Sequence, residues 1–341
     1  MTADPIPHQY IDRETDNVTT EKLIADTLIH RLYSRAKESP SLLFKAATSK
    51  RMSSILGFLN YDMSLNGHHQ KNGDRLKAMG INTDECLDDP ASLNTARKIF
   101  ERKIRFWQCR PLPETEDRIV SPADARMIVG SLDCHDSLYL KEKFFSFEEL
   151  LGIDKPAWLE AFADGDFALF RLTPDKYHYN HVPVSGRVKD IYEIDGCCHS
   201  CNPGAVVSLV TPYSKNHRVV TIIDTDVPGG THIGLVAMIE VVAMMIGDIV
   251  QCYSLHAYDD PIDIQPGLFL ERGCPKSLYR PGSSVDVLIF QKDRVAFSVD
   301  ILANMLRKDV SSRYTLHFQS PLVETDVKVR SEIGRRVNGG R

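Results

Sequence analysis

The chain has 341 residues, 43% hydrophobic and 26% charged, with a formal net charge of -5, enough for one large domain or a core with an appendage and ordinary for a globular protein. So mild an acidity, with no long Lys/Arg run, excludes nucleic acid as the expected partner. An anionic membrane surface stays open, because a basic face can sit on an acidic protein.

The N-terminal stretch MTADPIPHQYIDRETD is polar and has no apolar core segment, so no secretory signal is expected and the location is read as cytoplasmic. Ile24, Leu28 and Leu32 recur at helical spacing, with Glu21 in the expected first turn, which predicts an amphipathic helix over TEKLIADTLIHRLYSRAKE. SLLFKAATSKRMSSILGFLNY predicts a second helix, ending at the polar loop NGHHQKNGD. SLNTARKIFERKIRF predicts a third, ending at the proline-rich turn CRPLPETED.

Beyond that turn the texture becomes β-rich. ARMIVGSL, FALFRL, AVVSLV, RVVTIID, GLVAMIEVV, VDVLIF and VAFSV are separated by turn residues, with one short helix, SFEELLGI, among them. This predicts a mostly antiparallel sheet or barrel rather than an alternating βαβ chain. The expected class is α+β: an N-terminal helical region over 1–108, a mainly antiparallel β catalytic part over 109–335, and a frayed tail over 336–341. The longest apolar stretch, IGLVAMIEVVAMMIGDIV, contains Glu240 and Asp248. A spanning helix would place Glu240 near mid-bilayer, so two buried strands joined by a turn are expected instead.

Eight cysteines without an export signal imply reduced thiols. Cys197, Cys198, His199 and Cys201 form CCHSC, which has metal-binding residue types. Adjacent cysteines rarely reach one tetrahedral ion, and no second ligand pair stands at a standard spacing, so packing is the expected role and no metal is assigned.

Three segments carry candidate chemistry: Ser121-Pro122-Ala123-Asp124, then YHYNHVPVSG with His178 and His181, then Pro281-Gly282-Ser283-Ser284 running into VDVLIF. Singly, each is more often a cap, a packed histidine pair or a turn. As an ordered set they say more. FSFEELLG, FRLTPDKYHYNHVPVSG, KNHRVVTIIDT, VVAMMIGDIV and PGSSVDVLIF resemble the succession of segments in phosphatidylserine decarboxylases. YIDRETDNVTTEKL and VETDVKVRSEIG extend that resemblance from about Tyr10 to Arg335.

Decarboxylation next to an amine leaves a carbanion, and side chains offer no electron sink; a carbonyl able to form a Schiff base does. The resemblance implies that this carbonyl is a pyruvoyl group made from Ser283. Ser283 Oγ would attack the Gly282 carbonyl to give an ester. Elimination and hydrolysis would then leave chains of 1–282 and 283–341. By the same resemblance His181 is the general base toward Ser283, Asp124 orients its ring, His178 serves decarboxylation, and Ser284 assists through a hydrogen bond. The implied reaction is phosphatidylserine to phosphatidylethanolamine and CO2 at a membrane surface, with peripheral attachment through amphipathic N-terminal helices and a homodimer of processed chains. The sequence departs from the family pattern at Pro281, Ser284, Ala125, His217 and Val242, and the segment before the junction is a residue short. Two further readings therefore stay open: a decarboxylase of a free or modified amino acid, and a non-processing relative that acts as a binding protein.

Overall fold

A computed structural model describes residues 6–23, 76, 80–133, 135, 141–208, 211–243, 248–281 and 284–337. The early strands are β1 (Gln9–Asp12), β2 (Val18–Thr20), β3 (Arg118–Val120), β4 (Ala125–Ser131), β5 (Asp166–Leu172), β6 (Tyr179–His181), β7 (Gly186–Ile194) and β8 (Arg218–Asp224). They are followed by β9 (Leu235–Val242), β10 (Ile249–Gln251), β11 (Phe269–Leu270), β12 (Pro275–Tyr279), β13 (Ser284–Phe290), β14 (Val295–Phe297), β15 (Glu324–Val327) and β16 (Glu332–Arg336).

A ten-stranded sheet in the order β11-β7-β8-β9-β13-β5-β4-β15-β1-β2 forms the body of the molecule. Two three-stranded sheets, β10-β12-β6 and β14-β16-β3, accompany it. The described pairs are antiparallel except β1 with β15. The expected α+β class with a mainly antiparallel core therefore holds. At the centre β13 pairs along its whole length with β9 and β5, from Ser284 opposite Val242 and Leu172 to Phe290 opposite Val236 and Asp166. Every residue of β13 is buried, which is why SVDVLIF reads as a nearly continuous apolar run rather than an alternating one.

The N-terminal expectation needs correcting where residues are described. Gln9–Thr20 contributes two strands to the large sheet, Tyr10 pairing with Glu324 and Thr19. Glu21 does not lie in a helical first turn; its carboxylate accepts from Arg171 at 2.9 and 2.7 Å and pairs with Arg126 at 2.6 Å. Arg171 also pairs with Glu324, whose other partner is His8 at 2.7 Å. Long-range polar contacts thus hold the first strand in place, Glu324 reaching His8 from 316 residues away and Arg171 reaching Glu21 from 150. The remainder of the first two expected helices lies outside the described residues. The third is two short helices, Ala96–Phe100 and Phe106–Cys109, separated by an irregular turn.

IGLVAMIEVVAMMIGDIV forms two strands as expected, β9 and β10, but in different sheets; β9 is almost wholly buried and β10 half-buried. Glu240, on β9, is neutralised by Lys276 at 2.8 Å, with both side chains fully buried. Among the described residues no helix is long and apolar enough to cross a membrane.

Candidate active site

In the chain the expected cleavage point falls between β12 and β13, strands of two different sheets. Strand β12 ends at Tyr279, Pro281 is buried, and β13 begins at Ser284; Gly282 and Ser283 lie outside the described residues. Ser284 is fully buried, and its hydroxyl has no hydrogen-bond partner among the described residues. The strand leading into the junction is hydrogen-bonded to the histidine segment. In the β6–β12 ladder His181 lies opposite Pro275 and Tyr179 opposite Leu278. Just before β6, the His178 carbonyl accepts from the Tyr279 amide at 3.1 Å. His178 therefore stands at the junction end of the ladder and His181 at the far end.

His181 is fully buried. Its Nδ1 contacts the Gly273 carbonyl at 2.9 Å and its Nε2 the Tyr177 hydroxyl at 3.0 Å. Gly273 offers that carbonyl from a left-handed backbone with φ +81°, and a Cβ there would come within 2.8 Å of Leu112. Phe106 meets the imidazole edge-on at 4.7 Å between centroids. Burial dominates its titration and pushes the imidazole down to about 3, so the ring is neutral at pH 7.

His178 is equally buried and stacks on Phe100 with centroids 3.4 Å apart. Among the described residues its ring nitrogens have no well-formed hydrogen bond, the polar approach to the ring being the Lys176 backbone. Burial, with the Arg102 charge, pushes it down to about 3. A buried imidazole so lightly held can turn either nitrogen toward a ligand.

Asp124 follows directly after the SPA turn and is buried. Arg110 binds it through two nitrogens, at 3.0 and 2.7 Å, and the Val329 amide donates to it at 2.8 Å. Burial works to raise this carboxyl, but the Arg110 charge and hydrogen bonds outweigh it and hold it well below the usual carboxylate range. The Asp124 charge opposes the downward push of burial on the His181 ring only as a minor influence. Their hydrogen bonds run to other partners, and no direct bond joins them in this arrangement.

Four participants were not singled out from the sequence. Tyr177 sits inside the quoted histidine motif, so its presence beside His181 was available to a closer reading. Gly273, Arg110 and Tyr258 have no motif. Tyr258, 81 residues from Tyr177, meets its hydroxyl at 2.8 Å.

Between β9, β12 and β13 lies a buried polar cluster. Glu240 accepts from Lys276, Gln251, Asn180 and Ser277. Asp286, opposite Glu240 in the β9–β13 ladder, accepts from the Tyr279 hydroxyl at 2.7 Å. Burial and the neighbouring Glu240 charge raise the Asp286 carboxyl well above its ordinary value. In CCHSC, Cys198 and Cys201 are buried and Cys197 exposed, and Asn216 fixes the segment by bonding the His199 amide and carbonyl at 2.7 and 3.0 Å. His8, Glu21 and Glu324 have metal-ligating atoms within 4.8 Å of one another, but Arg171 and Arg126 already neutralise that group.

Comparison with known proteins gives this geometry a family. The family model described as phosphatidylserine decarboxylase matches residues 97–305. A protein of Fusobacterium nucleatum subsp. nucleatum named phosphatidylserine decarboxylase proenzyme is 27% identical over 304 residues, covering 88% of this chain and 93% of that one. A Chlamydia trachomatis serovar L2 protein of the same name is 28% identical over 294 residues, covering 86% of this chain and 90% of its own. The rice protein named phosphatidylserine decarboxylase proenzyme 2 is 33% identical over 231 residues, 67% of this chain, and the chain spans only 34% of that longer relative. With more than half its length matched by the family model and a histidine ladder built onto the strand that enters Gly282–Ser283, the chain belongs to the phosphatidylserine decarboxylase family, whose members are carboxy-lyases.

Proposed function

We propose that this protein cleaves itself between Gly282 and Ser283 and then converts phosphatidylserine to phosphatidylethanolamine and CO2 at a membrane surface. The observation that carries the reading is the β6–β12 ladder, which ties His178 and His181 to the strand running into the junction in a chain of this family.

Self-cleavage needs a base that is unprotonated at neutral pH, and burial keeps His181 in that form. Asp124 acts through its charge rather than as a direct hydrogen-bond partner: it stays ionised beside Arg110 and favours positive charge on His181. The described residues next to the junction offer polar atoms to a carbonyl group. Ser284 Oγ is buried without a partner among the described residues, and His178, whose carbonyl accepts from the Tyr279 amide, has lightly held ring nitrogens. A pyruvoyl group derived from Ser283 would supply the electron sink that the side chains lack. His178 orients the substrate and holds a proton for the carbon that loses CO2. The processed protein is proposed to work peripherally on the bilayer and as a homodimer, as the family resemblance implies.

The test is release of labelled CO2 from phosphatidylserine in vesicles by the processed protein, beside a processed His178→Ala form. Release by the first and loss of at least about a hundredfold in the second is expected for removal of an acid–base group. Release from free amino acids but not from vesicles would transfer the activity to a soluble substrate.

A further inference from the structure

Arg272 is only 8% exposed, yet among the described residues no carboxylate forms an ion pair with it. Two backbone carbonyls hold its guanidinium instead, that of Arg118 at 2.8 Å from Nη1 and that of Pro113 at 2.9 Å from Nη2. A guanidinium carries five N–H donors, so three remain available. Burial pushes this group below its ordinary value, and the charges of Asp117 and Glu116 offset that only in part. A buried cation in this condition calls for an anion.

Arg272 lines a cavity of about 420 Å³, within the size range of small-molecule sites. The cavity forms where residues 112–116, ahead of β3, meet the β8–β9 turn and the turn from β11 into β12. Ser185 and Thr231 line it too, and the three residues are tied together. The Ser185 amide donates to Thr231 Oγ1 at 2.9 Å, and the Arg272 amide donates to Ser185 Oγ at 3.0 Å. Both hydroxyl oxygens therefore accept, and among the described residues both hydroxyl protons are still free to donate. Thr231 is only 2% exposed, where a polar group needs its full set of partners. The rim has the opposite character. Glu114, Glu116 and Glu271 line the cavity, are exposed, and have no ion-pair partner among the described residues. Phe269 lies among them, and an aromatic ring is a favourable neighbour for an alkylammonium group.

We propose that this cavity binds a small zwitterion, an amino-alcohol phosphate ester, with its phosphate received by Arg272, Ser185 and Thr231 and its ammonium by the glutamates of the rim. A simple anion would have to pass three carboxylates. A simple cation would leave the buried guanidinium uncompensated. Donors from three side chains converge on the inner end, which suits a group with several strong acceptor oxygens. The same chemistry belongs to a phospholipid headgroup and to a soluble phosphate ester. The site is separate from the two histidines. Gly273 stands between them and the cavity: its carbonyl meets His181, whereas a Cβ on it would meet Leu112 of the cavity wall.

The test is calorimetric titration of the purified full-length protein with glycerophosphocholine. The quaternary ammonium of this probe forms no Schiff base, so its binding is read independently of self-cleavage and of any carbonyl group at Ser283. Saturable binding is expected, with choline alone and glycerol 3-phosphate alone each weaker by about tenfold or more. Arg272→Gln should weaken the probe by about tenfold to a hundredfold, the loss of hydrogen bonds from a charged group. The double variant Glu114→Gln with Glu271→Gln should weaken it by about tenfold. No saturation up to about 10 mM, equal affinity for either half of the probe, or wild-type affinity in both variants would overturn the site. If Arg272→Gln does not fold, the double variant and the comparison of probes still decide. With saturable binding in hand, displacement of the probe by phosphatidylcholine vesicles would support a headgroup held in a bilayer as the ligand, and undisturbed binding would support a soluble ester.

Discussion

Lys276 and Glu240 are fully buried and 2.8 Å apart, and their worth lies in keeping each other neutralised. Burial works to raise Glu240, but Lys276 and three hydrogen bonds outweigh it and keep the carboxylate ionised. Lys276→Met should cost about 3–5 kcal/mol in urea unfolding, because a buried charge is left without its partner. The double variant Lys276→Met with Glu240→Leu should recover most of that loss. Gly273→Ala should be costly on a different ground. A left-handed non-glycine backbone costs about 1–2 kcal/mol, and the added Cβ would press on Leu112 and shift the carbonyl that holds His181. Slower self-cleavage together with a lower unfolding midpoint is the expected pair of results. At this scale the sequence was informative where residue types cluster. The two histidines and Asp124 could be picked out because they lie in short motifs. Gly273, Arg110 and Tyr258 act through one carbonyl, one guanidinium and one hydroxyl brought from distant turns, and no local pattern marks such contacts.

Among the elements, β13 decides what cleavage does to the molecule. It starts at Ser284 and is paired on both sides with strands that precede the junction. The 283–341 fragment would therefore hold a central strand of the sheet, with β14, β15 and β16 following. Both chains of the cleaved protein should co-elute in native size exclusion and separate only in denaturant. Leu288→Ala, in the middle of β13, should lower stability by about 2–5 kcal/mol for a fully buried leucine. The other strands were legible because they are long apolar runs bounded by turn residues, but AVVSLV, expected as a strand, begins inside the short helix Pro203–Val206, which Pro203 starts and the Asn202 side chain caps. The N-terminal segment was misread because its strand character comes from pairing with β15 and from the Glu21–Arg171 and Glu21–Arg126 ion pairs, long-range contacts that helical periodicity cannot register. The third expected helix breaks at Glu101–Arg105, where Arg102 turns in to bond the carbonyls of Ile99 and Asp175.

For the whole molecule, buried neutral histidines set the response to acid. His178 and His181 are pushed by burial down to about 3, from the ordinary imidazole value of about 6.5 in the accessible chain. Between those limits the unfolded chain takes up protons that the folded protein refuses. Stability should therefore be fully present above pH ~6.5 and fall as pH drops toward ~3, by up to about 1.4 kcal/mol per pH unit for each histidine. Unfolding midpoints measured across that window, with His178→Phe flattening the slope, check this. The antiparallel class was readable from the chain's second part, whereas the division into one large and two small sheets was not, since it depends on which strands pair.

The central claim is that the chain makes its own reactive group at Ser283, and intact mass spectrometry of purified protein beside Ser283→Ala tests it most directly. The account predicts two wild-type fragments divided between Gly282 and Ser283, the smaller one beginning with pyruvoyl in place of serine, and a single full-length mass for the variant. A single full-length mass for the wild type after prolonged incubation would contradict it and leave a folded family member without the group its chemistry requires.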